Sequence, residues 1–137
     1  EENDIVIDAE NAVVGRLASF AAKQAIYGKN VVIVNSEKAK IIGSPAVIIE
    51  QFRARSRLGK GVQKGPLILK KPSELLRRAI RGMLERKRAR GIAAFKRVKC
   101  YEQVPLQYAN KEKLSVETKE AIKFITLAQL SKHLRGR

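Results

Sequence analysis

With 137 residues, 45% of them apolar, the chain is long enough to bury a real core and short enough to form one domain spanning residues 1–137. A lone cysteine, Cys100, excludes an internal disulfide and fits a reducing compartment, and no stretch approaches the ~20 apolar residues of a membrane span. The net charge of +16 is one block: residues 53–99 hold 17 Lys and Arg against only Glu74 and Glu85, while residues 1–52 sum to −2 and residues 100–137 to +3. Such density repels itself unless a polyanion neutralises it, and nucleic acid is the leading candidate.

The acidic start Glu1-Glu2-Asn3-Asp4 has neither the basic nor the apolar region of a secretory signal, so none is expected; the missing initiator Met is compatible with trimming. Ile5-Val6-Ile7 and Val31-Val32-Ile33-Val34 are unbroken β-branched runs, the pattern of strands buried on both faces of a parallel sheet. Between them Val14, Leu17, Ala18, Ala21 and Ala25 recur at helical spacing, and Gly28 stands where a C-terminal cap belongs. Residues 5–34 therefore read as a βαβ unit with a right-handed crossover.

Ala39–Gly43 reads as a third strand. It follows the second too closely for a helical crossover, so an antiparallel hairpin with that strand is open to it. Ser44-Pro45 starts a helix with Val47, Ile48 and Phe52 on its buried stripe. Residues 56–71, with Gly59, Gly61, Gly65 and Pro66, read as a long loop of the kind that is usually functional. A further helix opens at Lys71-Pro72-Ser73. Its apolar positions are Leu75, Leu76, Ala79, Ile80, Met83 and Leu84, and Arg77, Arg78 and Arg81 are expected outside. Gly82 fits either close packing against RNA or a neighbouring element, or a helix break. Gly91 is expected to precede a short helix through Phe95, and Val98–Glu102 is a candidate fourth strand. Residues 105–120 read as a surface excursion. Thr126 and Gln129 have capping-box spacing, Ile125 and Leu130 staple spacing, and Leu127, Leu130 and Leu134 line a final helix.

No catalytic constellation emerges. His133 is the only histidine and lies on a basic helix; Cys100 sits in an apolar strand, where a buried thiol is the simpler reading. One Cys and one His cannot make the usual zinc sites. The turn Asp8 to Gly15 lacks G-x-G-x-x-G, and Gly59 to Gly65 does not fit the P-loop spacing. No cofactor and no small-molecule substrate are expected. The block holds 10 Arg and 7 Lys, and arginine dominates where phosphate is held in forked geometry. With no Trp, and with Phe20, Phe52, Phe95 and Phe124 in apolar patterns read as core, stacking on single strands is disfavoured. Phosphate and shape readout of a folded nucleic acid remains. Composition alone does not separate RNA from DNA, and a DNA-compacting protein is the rival. A calmodulin-type or membrane-surface helix over 73–90 would leave the α/β core without purpose.

The chain resembles the large-subunit ribosomal protein thirteen family in its archaeal and eukaryotic branch. The resemblance rests on Ile7-Asp8-Ala9, Gly15-Arg16-Leu17-Ala18-Ser19, Val34 to Lys38 leading to Ile42-Gly43, and Lys71-Pro72. It continues through Arg78 to Leu84, Arg90-Gly91, Phe95 to Tyr101 and Ile122 to Leu127, covering essentially the whole chain. Glu85 departs from it, since the family commonly has Pro there; the helix end should be less abruptly terminated. The resemblance implies an α/β fold, a three-layer α/β/α sandwich with a small, mainly parallel four-stranded sheet plus the basic loop and C-terminal helix. It also implies a structural, non-enzymatic role in the cytoplasmic large ribosomal subunit, RNA binding early in assembly, and contact with a neighbouring large-subunit protein, ribosomal protein three. On the charge block, the candidate RNA-contacting residues are Arg53, Arg55, Arg57, Lys60, Lys64, Lys70, Lys71, Arg77, Arg78, Arg81, Arg86, Lys87, Arg88, Arg90, Lys96 and Arg97.

Overall fold

A four-stranded parallel sheet organises the molecule, seen in a computed structural model that describes residues 4–56, 70–85, 87–116 and 122–136. Its order is β4 (Val98–Cys100), β2 (Asn30–Val34), β1 (Asp4–Asp8) and β5 (Leu114–Ser115). The two β-branched runs lie side by side, with Ile5 opposite Val31 and Ile7 opposite Ile33. Their unbroken apolar character has the expected cause. Ile7, Val31 and Ile33 join the main core with the helices, while Val6, Val32 and Val34 point the other way, onto Tyr101, Val104 and Tyr108. This second face is covered by the segment around a 3-10 turn, Leu106–Tyr108, with the Tyr101 and Tyr108 rings tilted at 5.9 Å between centroids.

Helix α1 (Val14–Ile26) buries Leu17, Ala18, Ala21, Ala22 and Ala25, small residues that let it lie close to its neighbours. It ends in a Schellman motif. Gly28 has φ +94° and donates its N–H to Ala25 O at 3.0 Å, and Lys29 N–H reaches Gln24 O at 3.2 Å. The positive φ is what requires glycine here.

The third strand, β3 (Lys40–Ile42), does not form a hairpin with β2. It pairs antiparallel with β6 (Phe124–Thr126) in a separate two-stranded sheet. The reason lies in the link after β2. Asn35 adopts a left-handed φ of +57° and a 3-10 turn, Ser36–Lys38, redirects the chain. Lys40 N–H then bonds Ala12 O at 2.8 Å, so one edge of β3 rests on the β1–α1 connection and the other is left for β6. Within the expected surface excursion, Leu114 and Ser115 form β5 against Ile7 and Asp8. Two exposed residues carry no periodic signal, and only the neighbouring strand makes them a strand.

Helix α2 (Pro45–Ser56) follows Ser44, and α5 (Leu127–Gly136) follows β6. The capping box at α5 is complete: Gln129 N–H donates to Thr126 Oγ1 at 3.2 Å and Thr126 N–H to Gln129 Oε1 at 3.1 Å. Leu127, Leu130 and Leu134 of α5 are buried. The buried Ser131 hydroxyl donates to Lys70 O at 2.5 Å, fixing the chain as it enters the basic helix.

Candidate nucleic-acid interface

The basic segment is built on two helices, α3 (Pro72–Gly82) and α4 (Ala89–Lys96), leading into β4. In α3, Pro72 occupies the first turn with its preset φ, Glu74 complements the positive end of the dipole, and Arg81 complements the negative end. Leu75, Leu76 and Ile80 are buried, together with Leu84 just past the helix. Met83, expected inside, is 47% exposed, because the chain turns at Gly82–Met83 and the helical face no longer continues. Among the described residues a Cβ on Gly82 would meet nothing within 4 Å, so Gly82 stands at the helix end and is not packed against a neighbouring element of the chain. The end therefore precedes Glu85, and the Pro-to-Glu departure does not govern it.

Gly91 lies inside α4 rather than ahead of it. A Cβ there would come within 1.9 Å of Glu85 O and 2.4 Å of its carbonyl carbon. The turn after α3 folds its backbone directly onto α4, and only a residue without a side chain allows that approach. The consequence is electrostatic. Lys87, Arg88 and Arg90 of the fold-back are exposed, as is Arg78 on α3. Glu85 partly offsets this through an exposed ion pair with Arg88 at 3.3 Å. Such pairs are weak, typically below about 1 kcal/mol.

Arg77 is not turned outward as the helical spacing implies. It is half-buried; its Nε–H donates to Val98 O at 3.2 Å and its Nη2 to Phe95 O at 3.3 Å. Its guanidinium lies 3.9 Å from the Phe95 ring centre. Val98 O faces the outer edge of β4, and Phe95 O, which already accepts a backbone N–H at the α4 C-cap, has a lone pair to spare; one fork of N–H donors reaches both. Arg97 likewise donates from Nη1 to Ala25 O at 2.8 Å, at the end of α1, and Arg53 from Nη2 to His133 O at 3.3 Å. These three candidate residues tie elements of the fold together.

Arg78, Lys70, Lys71, Arg55, Lys87, Arg88, Arg90 and Lys96 are exposed, and Arg81 is half-buried. Arg57, Lys60, Lys64 and Arg86 lie outside the described residues. Between α3 and α4 runs a groove of about 430 Å³, lined by Glu74, Arg78, Arg81, Leu84, Ile92 and Phe95 among others. It combines an apolar lining with guanidinium groups and a single carboxylate. Two further departures concern aromatic and cationic residues. Phe124, read as core, is 40% exposed with Lys40 Nζ 5.1 Å from its ring centre. A second cationic groove lies on α1, where Arg16 and Lys23 flank Phe20. The charge block does not include it, although the i, i+4, i+7 spacing of these residues was the signal for it.

Cys100, just past the basic segment, is not a reactive thiol. Burial pushes the Cys100 thiol up to about 12, only partly offset by the Arg77 charge, so it stays protonated and is a poor nucleophile. Among the described residues, no three His, Cys, Asp or Glu side chains cluster to hold a metal ion, and no helix is long and apolar enough to cross a membrane.

The fold and this surface together define a small basic α/β protein whose exposed cations are concentrated on and around α3 and α4. A family model described as Ribosomal protein L13 matches residues 2–107, and the chain belongs to that family. It is a family of structural ribosomal proteins, not enzymes. The chain is similar to the large ribosomal subunit protein uL13 of Thermoplasma volcanium, 43% identical over 134 residues that cover 96% of this chain and 98% of the relative. It is similar to that of Methanocaldococcus jannaschii, 43% identical over 132 residues (94% and 96%), and to that of Methanococcus maripaludis, 38% identical over 138 (95% and 96%).

Proposed function

We propose that this chain is a structural constituent of the large ribosomal subunit in the cytoplasm, that it holds folded ribosomal RNA on the α3–α4 surface, and that it supports early subunit assembly. The observation that carries the reading is the exposure of Arg78 on α3, Lys87 and Arg88 on the turn and Arg90 on α4, with Arg81 half-buried in the groove and Gly91 permitting the turn to fold back. The relatives' description as large-subunit proteins supports it. Phosphates neutralise the block and release counterions, which relieves its self-repulsion. Lys70 and Lys71 extend the surface, and Arg57, Lys60 and Lys64, outside the described residues, are proposed to add to it. Bridging several RNA segments stabilises their native arrangement by mass action. In this reading the chain acts as one domain, and a neighbouring large-subunit protein, ribosomal protein three, covers part of the remaining surface.

The test is affinity for transcribed large-subunit RNA fragments against duplex DNA of equal charge, at several salt concentrations. Tight binding to one RNA fragment at physiological salt is expected. Equal, salt-erased binding to both nucleic acids would reduce the block to a nonspecific polyanion surface. The double variant Arg78→Ala/Arg81→Ala should weaken the RNA complex and lower its log–log salt slope by about 1.5.

A further inference from the structure

The groove on α1 stands apart from the charge block. It is open, about 800 Å³ in volume, and lined by Gly15, Arg16, Ser19, Phe20 and Lys23 together with Ser115 beside them on β5. Among the described residues, none that lines it is acidic, and none also lines the α3–α4 groove. Arg16, Ser19, Phe20 and Lys23 follow i, i+3, i+4, i+7 and so share one face of α1, with Phe20 half-buried at its border against the core that Leu17, Ala18, Ala21 and Ala25 fill. Arg16 and Lys23 stand about 10 Å apart along the helix axis, the span of a short phosphodiester stretch. Tyr27, 63% exposed, continues the stripe one turn further.

Gly15 supplies an independent observation. It is exposed, in helical backbone without a positive φ, and a Cβ there would meet nothing within 4 Å. Neither conformation nor packing among the described residues asks for glycine, although glycine is disfavoured in a helix relative to alanine. The same first turn has no acidic residue of its own and no side-chain cap, and the positive end of a helix dipole favours an anion. A bare backbone at that point suits the close approach of an anionic chain.

We propose that the α1 groove is a second RNA site, which takes a phosphodiester segment distinct from the one held at α3–α4. Arg16 and Lys23 engage phosphates, the Ser19 hydroxyl bonds a phosphate or ribose oxygen, and the Phe20 ring lies against the adjacent nucleotide. The proposal rests on the RNA-binding reading above, and its test separates the two. Hydroxyl-radical footprints are taken on overlapping transcripts of the large-subunit RNA, with wild type, Arg16→Ala/Lys23→Ala, Gly15→Gln and Arg78→Ala/Arg81→Ala, and each protein is checked by thermal unfolding. Both α1 variants should lose protection of one RNA segment that the α3 variant still protects. Arg16→Ala/Lys23→Ala should lower the salt slope by about 1.5, and Gly15→Gln should melt no lower than wild type. Wild-type footprints and slope for the α1 variants, beside a lost segment for the α3 variant, overturn this proposal alone. Wild-type behaviour of every variant overturns the RNA-binding reading with it. Loss of the same segment by both sets of variants, or a lower melting temperature for Gly15→Gln, overturns the second site as well.

Discussion

Arg77 and Arg78 are neighbours on α3, yet one belongs to the fold and the other to the surface. Arg77 closes the seam where α3, α4 and β4 meet, with its guanidinium on two carbonyls and the Phe95 ring. Arg78 and the turn cations stand outward on the same scaffold. A run of arginine thus serves two physical ends, and the difference is set by whether unsatisfied carbonyls lie within reach. Charge density alone describes a binding surface; hydrogen-bond accounting tells which cations are available to it.

The sharpest way to break the seam is Gly91→Ala. The new Cβ would meet the Glu85 backbone, which no side-chain rotation can move away. A loss of about 3 kcal/mol or more is expected in chemical denaturation, and the Lys87–Arg90 cations should lose their placement with it. Arg77→Ala comes next. It strands the Val98 carbonyl, takes one of two donors from the Phe95 carbonyl and removes the ring contact, for about 2 kcal/mol. Arg77→Lys should recover only part of this, because a single ammonium cannot fork to both carbonyls.

Alkaline pH tests the same seam through Cys100, which lies in β4. Its folded thiol, near 12, is higher than in the unfolded chain. The unfolded chain therefore releases its proton first, and the stability held below the unfolded value, about 8.5, is lost progressively as pH rises toward the folded one. Wild type should lose stability relative to Cys100→Ala across that window, by up to about 1.4 kcal/mol per pH unit; parallel pH profiles for the two proteins would refute it. The smallest stability change belongs to the outer surface. Arg78→Ala/Arg81→Ala should unfold within about 0.5 kcal/mol of wild type while its RNA affinity falls. A large loss of stability there would erase the distinction between the two regions.

Much of the fold was legible before any coordinates. β1 and β2 were readable from their unbroken β-branched runs, and α1 from its alanine stripe and Gly28. The α5 cap was readable from Thr126 and Gln129. The part not legible depends on long-range pairing. β3 could not be assigned its partner, because β6 lies some 80 residues further along. β5 could not be seen at all, because two exposed residues form a strand only by lying against β1. At the basic surface, composition located the block, but Arg77, Arg53 and Arg97 read the same as their outward neighbours. A helical wheel also placed Met83 inside, since it does not know where the helix stops.

By itself the sequence determined what is local or additive: the charge block, the absence of a catalytic set, the βαβ unit and the helix ends marked by Gly28 and Thr126. Short-range periodicity and net charge need no partner to be expressed. Tertiary structure alone decided which strands pair, which arginines are spent on carbonyls, and that Gly91 is required while Gly15 is not. Those outcomes depend on which backbone groups from distant parts of the chain come within a few ångströms of one another, and no local pattern encodes that distance.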